Sequence, residues 1–187
     1  MANATKRIIL QTFEEMLEEM PFSKVTVSAL VTRCEISSNT FYYHFKDIFD
    51  LLDAWMEKKT EYYRKQTHDF VEWDDGLKFV LHDFQKNGQL VYHVFDSLSR
   101  ERMERYIFTT VEELFYEYMK RRTSDTHVSG EALEWISQAY CYAILGFVLK
   151  FLWEKMDIDI DTSVDKLYHL FNGALEDAVR RVEANEA

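Results

Sequence analysis

Turn-forming residues are scarce in this chain of 187 residues, which holds 1 proline and 5 glycines. β-Sandwiches and barrels need turns at intervals of about 8–12 residues, and those turns depend on such residue types. The 2 cysteines, Cys34 and Cys141, lie far apart and do not indicate a disulfide framework or a zinc cluster. The scarcity of breakers therefore predicts an all-α protein.

Long hydrophobic runs are also missing. The most apolar segment, Tyr140 to Leu149, ends at Lys150, well short of the ~18–20 residues that a membrane span needs. The first residues lack the apolar stretch of a signal peptide. Hydrophobic residues still make up 47% of the chain and aromatic residues 16%, enough for a large core. These features predict a cytoplasmic protein with no membrane partner.

The charge is strongly acidic and unevenly spread. The formal net charge is −11, which taken alone argues against nucleic-acid binding because phosphate contacts normally leave a basic footprint. Residues 1–60 hold 7 basic and 9 acidic side chains, against 15 and 24 in residues 61–187. The segment from Lys24 to Lys46 contains three basic residues, Lys24, Arg33 and Lys46, and one acidic residue, Glu35. A locally positive surface is therefore compatible with the sequence.

Apolar residues at three- and four-residue steps predict a succession of helices. The expected spans are 5–19, 27–34, 38–45, 48–70, 76–86, 89–98, 100–122, 131–156 and 164–183. Predicted N-caps are Thr26, Ser37 or Ser38, Asp47, Ser129 and Ser163. Two short helices joined by a turn of about three residues lie within 26–45, as in a helix-turn-helix unit, although a corner of a helical bundle has the same spacing.

The third predicted helix carries side chains that suit DNA better than solvent. Phe41 and Phe45 share one face and would anchor the helix in the core. The other side is polar and aromatic rather than simply charged: Asn39, Tyr42, Tyr43 and Lys46, flanked by Thr40 and His44. Such groups donate hydrogen bonds to phosphate oxygens, and asparagine also reads base edges. This helix is therefore the candidate DNA-reading element.

The segment VTVSALVTRCEISSNTFYYHFKDIFDLL resembles the DNA-binding domain of TetR-family transcriptional regulators. The resemblance rests on T-x-x-x-L, a β-branched residue in the turn, and T-F-Y-Y-H-F before a capped long helix. It implies a helix-turn-helix domain over residues 1–46 and a C-terminal dimerisation and effector domain over 47–187, connected by helix 47–70. The implied DNA contacts are Thr26, Ser28, Ser37, Ser38, Asn39, Thr40, Tyr42, Tyr43, His44 and Lys46. No enzymatic activity is expected.

Two residues depart from the pattern of the family. Many members have glycine in the turn where this chain has Glu35, so a side chain must accept a strained backbone or a different turn. Many also have lysine at the start of the fourth helix, where Ile48 stands here, which removes one phosphate contact. The run T-F-Y-Y-H-F-K-D-I-F-D-L-L is similar to the subgroup of dihydroxyacetone-kinase regulators.

The predicted helix 131–156 is apolar nearly all round. One stripe includes Leu133, Ile136, Tyr140 and Phe151, and a second includes Trp135, Tyr142 and Trp153. A helix of this kind is buried on both sides, by its own bundle and a second subunit or within a thick monomer core. TetR-like proteins dimerise through their last two helices. The resemblance therefore implies a homodimer formed by helices 131–156 and 164–183, with Gly173, Ala174 and Ala178 at the close contacts.

Aromatic residues of the C-terminal region could also line an effector pocket between helices. The candidate residues are His82, Tyr92, His93, Arg102, Tyr106 and Tyr140. The acidic run Asp157 to Ser163 lacks the glycine and the final acid of a calcium loop, the histidines lack metal-binding spacing, and no cofactor is expected. The resemblance therefore implies a dimeric repressor that binds a near-palindromic operator through helix 38–45 and responds to a small-molecule effector or a partner protein in the C-terminal bundle. The alternative is a protein-interaction module of the same fold with weak or lost DNA binding.

Overall fold

The computed structural model describes residues 2–124 and 129–186, and all the secondary structure within those two ranges is helical. A short 3₁₀ helix, Phe22–Lys24, follows the first α-helix. The α-helices in chain order are α1 Ala2–Glu19, α2 Val27–Arg33, α3 Ser38–His44, α4 Ile48–Thr67, α5 Trp73–Lys86, α6 Gly88–Phe95, α7 Arg100–Arg122, α8 Gly130–Trp153 and α9 Ile160–Glu186. The all-α prediction is confirmed.

Four of the predicted N-caps are confirmed. Thr26 Oγ1 accepts the Ala29 N–H at 3.2 Å, and Ser129 Oγ accepts the Ala132 N–H at 3.3 Å. Ser37 caps α3, and Asp47 Oδ1 accepts the N–H groups of two residues in the first turn of α4. Each oxygen satisfies donors that a helix leaves without an internal partner. These caps fix where the short helices begin.

The start of α9 was predicted wrongly. The helix begins at Ile160, four residues before the predicted Val164, because Asp159 rather than Ser163 is the cap. Asp159 Oδ1 accepts the Thr162 N–H at 3.0 Å, and Oδ2 accepts the Thr162 hydroxyl at 2.9 Å. These bonds hold the pKa of Asp159 below its usual value. The acidic connector is therefore the capping segment of α9.

The end of α8 also differs from the prediction, at Trp153 rather than Met156. Lys155 and Met156 have φ of 56° and 59°, in the left-handed region. The Lys155 N–H donates to the Leu152 carbonyl at 3.0 Å and the Met156 N–H to the Phe151 carbonyl at 2.8 Å. This pair of bonds is a Schellman motif, in which glycine is usual. Because lysine rather than glycine stands at that position, the sequence did not indicate that the helix ends there.

The chain packs as two compact units. The first contains the residues up to Tyr62 together with Asn87–Arg100, and the second contains Tyr63–Lys86 and the residues from Glu101 onward. Helix α6 therefore packs with the N-terminal helices, although it lies far along the chain. The predicted functional boundary between residues 46 and 47 stays a prediction.

The core of the first unit is apolar and aromatic. The Phe13 ring meets the rings of Phe22 and Trp55 edge-on, at centroid distances of 6.2 and 6.3 Å. Charged contacts lie at the edge of this core, where Lys59 Nζ approaches Glu14 Oε1 to 2.5 Å. The fully buried side chains of this unit include Ile9, Phe13, Leu17, Leu30, Phe41, Leu51 and Leu52.

Helix α6 is tied to α1 through a histidine. In a continuous helix the Leu17 carbonyl would accept the N–H of residue 21, but Pro21 has no N–H to donate. His93 Nδ1 lies 2.7 Å from that carbonyl oxygen and must be the donor, because a carbonyl only accepts. The bond gives the Leu17 carbonyl the donor that Pro21 cannot supply, and it fixes α6 against the end of α1.

The second unit is a bundle in which α5 and α8 both contact α9. Lys78 on α5 bridges Asp74 at 2.8 Å and Asp165 of α9 at 2.6 Å. Between α7 and α8, the Phe115 and Tyr140 rings stack at 5.6 Å. Cys141 is buried, and burial raises the pKa of its thiol to about 12. The thiol is therefore protonated at neutral pH, and a protonated thiol is not the nucleophilic form of cysteine.

Helix α8 is the one helix, within the residues that the structure describes, that is long and apolar enough to cross a membrane. Its 24 residues include a window with a mean hydropathy of 1.3, half of which is buried. The core helix of a globular protein passes the same test of length and composition. The packing of Leu133, Ile136 and Phe151 inside the bundle accounts for the apolar character of one face.

Candidate nucleic-acid interface and effector cavity

The turn between α2 and α3 is built on a left-handed residue. Glu35 has φ 55°, so this chain keeps the backbone that glycine usually adopts and accepts the strain. The Glu35 N–H donates to the Thr32 carbonyl at 3.2 Å, and the Ile36 N–H donates to the Val31 carbonyl at 3.0 Å. This Schellman motif ends α2 and sets the direction in which the chain enters α3.

Helix α3 is anchored by its two phenylalanines, as predicted. Phe41 is fully buried, Phe45 is nearly so, and their ring centroids lie 5.8 Å apart. The outer face is exposed: Tyr42 and Tyr43 keep 57% and 78% of their surface. The Tyr43 ring lies edge-on to His44 at 5.0 Å. The Tyr42 ring likewise lies edge-on to Phe41 at 5.3 Å, so both phenols make ring contacts within α3 while most of their surface stays exposed.

All of the predicted DNA-contacting residues lie on exposed or half-buried surface. Ser28, Ser38, Asn39 and Lys46 are exposed, and Thr40 and His44 are half-buried. The hydroxyls of Ser37 and Thr40 are 2.8 Å apart and bond to each other. Thr26 is exposed and keeps its O–H for an external acceptor, because only its lone pair is used by the cap. Contact with DNA stays a prediction for each of them.

Lys6 is a further candidate that sequence reasoning missed. Its Nζ lies 5.5 Å from the centroid of the Phe45 ring, which places a cation from α1 beside the end of α3. An ammonium over an aromatic face is attracted by the ring electrons. The sequence signal was the basic pair Lys6-Arg7 at the start of α1, whose relation to α3 depends on the tertiary packing.

Arg33 does not contribute to the locally positive surface. Its guanidinium donates to both carboxylate oxygens of Glu19, at 2.6 and 2.7 Å, and lies 3.6 Å from Glu15. The hydrogen bond from Arg33 lowers the pKa of Glu19. The acidic face of α1 is therefore partly neutralised from α2, whereas Lys6, Lys24 and Lys46 are exposed.

The second unit contains a cavity of about 90 Å³ bounded by α4, α5, α7 and α8. Its wall is mostly apolar and rich in aromatic rings, with Glu72 and Arg121 as its charged members. The aromatic residues of the wall are Tyr63, Phe70, Trp73, Phe84, Tyr106, Phe115 and Tyr118. A concave apolar site with few polar groups is the usual form of a small-molecule site.

Among the six residues predicted for an effector pocket, only Tyr106 lines this cavity. Tyr92 and His93 belong to the first unit, where His93 is bound to the Leu17 carbonyl. His82 is exposed and lies 3.1 Å from Asp161. Arg102 is half-buried outside the lining, and Tyr140 is buried with its ring against Phe115. A role for these five in effector binding stays a prediction.

Two family models match the chain. One describes the N-terminal region of bacterial regulatory proteins of the tetR family and covers residues 9–55. The other describes a transcriptional regulator C-terminal region and covers residues 71–173, more than half of the chain. The chain belongs to the TetR family. This TetR-family protein is a DNA-binding transcriptional regulator and not an enzyme, and its helix-turn-helix is α2 with α3.

Solved structures of TetR-type regulators share the fold. The dihydroxyacetone kinase operon activator DhaS superposes with a TM-score of 0.63 at 19% identity, covering 95% of this chain and 97% of that one. The TetR family repressor AlkX from Dietzia superposes with a TM-score of 0.60 at 16% identity, covering 92% and 98%. A transcriptional regulator from Aquifex aeolicus gives 0.55 at 20% identity, covering 90% and 98%. No functionally curated protein matches the sequence closely enough to add a further relative.

The outer face of α8 leaves large apolar side chains uncovered in this TetR-family protein. Trp135, Tyr142 and Trp153 keep 68%, 65% and 63% of their surface. On α9, Leu170 keeps 71%. Trp135, Tyr142 and Trp153, the residues named for the second predicted stripe of α8, are thus exposed in the protomer. Exposed apolar patches of this extent mark interaction surfaces.

Substitution of Glu35 by glycine is expected to stabilise this TetR-family protein and tighten its DNA binding. A side chain at φ 55° costs roughly 1–2 kcal/mol that glycine avoids, although glycine loses more backbone entropy on folding. The substitution also removes an anion beside the proposed DNA contacts. Urea unfolding and fluorescence-anisotropy titration of an operator duplex measure the two effects, and the site recognised should not change.

The control for the Glu35 experiment is Lys155→Gly. Lys155 is exposed and has φ 56° at the corresponding position of α8, so this variant relieves the same backbone strain in the unit that does not contain α3. It should gain stability without changing DNA affinity, while Glu35→Gln should change affinity alone. A clear loss of affinity in Glu35→Gly would show that the carboxylate makes a favourable contact and would contradict the prediction.

Proposed function

We propose that the protein is a dimeric cytoplasmic repressor that binds a near-palindromic operator through α3. The observation that carries the proposal is the outer face of α3, where Tyr42, Tyr43, Asn39 and Lys46 are exposed around a helix anchored by buried phenylalanines. Phenol, amide and ammonium groups bind phosphate oxygens, and Asn39 also suits base edges. The short α3 would enter the major groove, as recognition helices do.

The proposed dimer would form through α8 and α9. A single helix-turn-helix contacts few bases, whereas two related by a two-fold axis read two half-sites. Gly146 on α8 and Gly173 on α9 face open space, since an added Cβ at either would meet no atom within 4 Å. Nothing described in the protomer requires glycine at these positions. The close approach of a helix from the second subunit would explain why glycine stands at both positions.

Effector sensing is proposed for the cavity of the second unit. The site is apolar and aromatic with two charged groups at its wall, and a small molecule bound there would shift the population between conformations that bind DNA well and poorly. We also assign the protein to the subgroup of DhaS, on the run Thr40 to Leu52 and on the shared fold. DhaS is described as an operon activator, so the sign of regulation needs a direct measurement.

The test is a salt-dependent mobility shift with the promoter DNA of the protein's own operon. The proposal predicts saturable binding whose logarithmic affinity falls linearly with the logarithm of salt concentration, because counterions are released from the phosphates. A reporter fused to the same promoter gives the sign, with repression expected. The absence of saturable binding at low salt would instead support the protein-interaction module, which the acidic net charge of −11 and the Glu35 carboxylate favour.

A further inference from the structure

The connection between α3 and α4 consists of Phe45, Lys46 and Asp47. Phe45 is held by its buried ring and by its N–H, which donates to the Phe41 carbonyl at 3.0 Å. Lys46 is exposed and belongs to neither helix, so no carbonyl of a regular helix accepts its main-chain N–H. The position of the Lys46 backbone therefore depends on an acceptor from outside the connection.

Asp50, in the first turn of α4, supplies that acceptor. Its Oδ2 accepts the Lys46 N–H at 2.8 Å. Its own N–H donates to Asp47 Oδ1 at 2.9 Å, and the same oxygen accepts the Phe49 N–H at 2.8 Å. In a capping box the second side chain returns to the N–H of the capping residue itself, whereas here it reaches one residue further. The two aspartates thus interlock and hold the main chain of Lys46.

The negative charge of Asp50 opposes the DNA binding of this region. The carboxylate is exposed and bonded to the backbone of Lys46, a proposed phosphate contact. An anion near phosphates repels them, so charge alone favours a neutral residue at position 50. The hydrogen bond to the Lys46 N–H gives the carboxylate a function that offsets this repulsion.

We infer that Asp50 is a positioning residue for DNA binding, which holds the main chain of Lys46 so that its ammonium meets a phosphate. This inference rests on the proposed contact between Lys46 and DNA. The bond fixes the backbone from which the flexible lysine side chain starts, so the ammonium searches a smaller volume. Without the bond, a smaller fraction of the molecules presents Lys46 correctly, and the apparent affinity falls in proportion to that fraction.

Asp50→Ala and Asp50→Asn separate the hydrogen bond from the charge. Both remove the anion, but the asparagine side-chain carbonyl still accepts the Lys46 N–H. In anisotropy titrations of a duplex from the promoter of the protein's own operon, Asp50→Asn should bind as tightly as the wild type or more tightly. Asp50→Ala should bind about tenfold more weakly than Asp50→Asn, because it lacks the bond. Equal binding by the two variants would overturn the inference.

Salt dependence shows whether Asp50 acts through Lys46. Asp50→Ala should reduce the slope of logarithmic affinity against logarithmic salt concentration toward that of Lys46→Ala, which loses about one per subunit. A general loss of folded protein would lower the affinity and leave this slope unchanged. In the Lys46→Ala background, alanine and asparagine at position 50 should bind DNA equally. A persistent difference there, or a wild-type slope for Asp50→Ala, would overturn the inference.

Glu57→Ala and Glu57→Gln are the matched control pair. Glu57 is exposed on α4, two turns after Asp50 on the same face, so these variants remove a charge without touching the connection. Both should bind DNA alike and with the wild-type slope. If Asp50→Ala does not fold, Asp50→Asn still decides, because binding tenfold weaker than that of the wild type would overturn the inference.

Lys46→Ala alone distinguishes this inference from the proposed function. If it weakens binding while Asp50→Ala and Asp50→Asn bind alike, the positioning role fails and the DNA contact of Lys46 stands. If Lys46→Ala changes neither affinity nor salt slope, the proposed contact fails and the positioning role is overturned with it.

Discussion

Leu170→Arg is expected to split the dimer and abolish operator binding. Leu170 is 71% exposed in the protomer, so the substitution leaves the internal packing of each subunit unchanged. In the proposed dimer the two-fold axis would bury two guanidinium groups without partners, and an unpaired buried charge costs several kcal/mol. The dissociation constant of the dimer should therefore rise by about 100-fold or more. Ala174→Arg, one turn later on the same face, should act in the same way.

Sedimentation velocity of the purified variants measures this effect, and operator titration follows it. The matched control is Val71→Arg, which introduces the same charge at an apolar side chain that is 73% exposed but lies between α4 and α5. It should remain a dimer with wild-type operator affinity. A Leu170→Arg protein that sediments as a dimer and binds DNA normally would place the interface on another surface.

Tyr43→Ala and Lys46→Ala should each weaken operator binding without affecting the fold. Both side chains are exposed, and hydrogen bonds to charged groups contribute roughly 1.5–3 kcal/mol each, which corresponds to about 10- to 100-fold per subunit. Lys46→Ala should weaken binding to all DNA sequences and reduce the salt slope by about one per subunit. Asn39→Ala should instead relax sequence preference, because asparagine suits base edges.

Anisotropy titrations with specific and unrelated duplexes over a range of salt concentrations separate these effects. Tyr62→Ala and Lys120→Ala are controls, because both side chains are exposed on helices other than α3 and should leave affinity and salt slope unchanged. If Tyr43→Ala and Lys46→Ala bind the operator as tightly as the wild type, α3 does not read DNA.

Local chemistry predicted the first unit well because short-range bonds decide its helix ends. Thr26, Ser37 and Asp47 are each followed within three residues by the N–H groups that they cap. The burial of Phe41 and Phe45 follows from helical spacing alone. The family motif over the same residues added the DNA-binding role, and the match to the TetR-family models supports it.

Other features depend on competition or on distant contacts, which a single sequence does not display. Two capping residues, Asp159 and Ser163, compete for the start of α9, and the aspartate prevails because it makes two bonds to Thr162. The bond from His93 to the Leu17 carbonyl joins residues 76 positions apart. The composition of the cavity wall likewise depends on which helices meet, so the predicted pocket residues coincide with it only at Tyr106.

Selection of binding sites from a random duplex library tests the central claim most directly. The account predicts an enriched near-palindromic site whose half-sites are centred about 34–36 Å apart, or a multiple of that distance, and bound by two protomers. Tyr43→Ala should lose the enrichment. A library that yields no enriched sequence, or a single half-site bound by one protomer, would contradict the account.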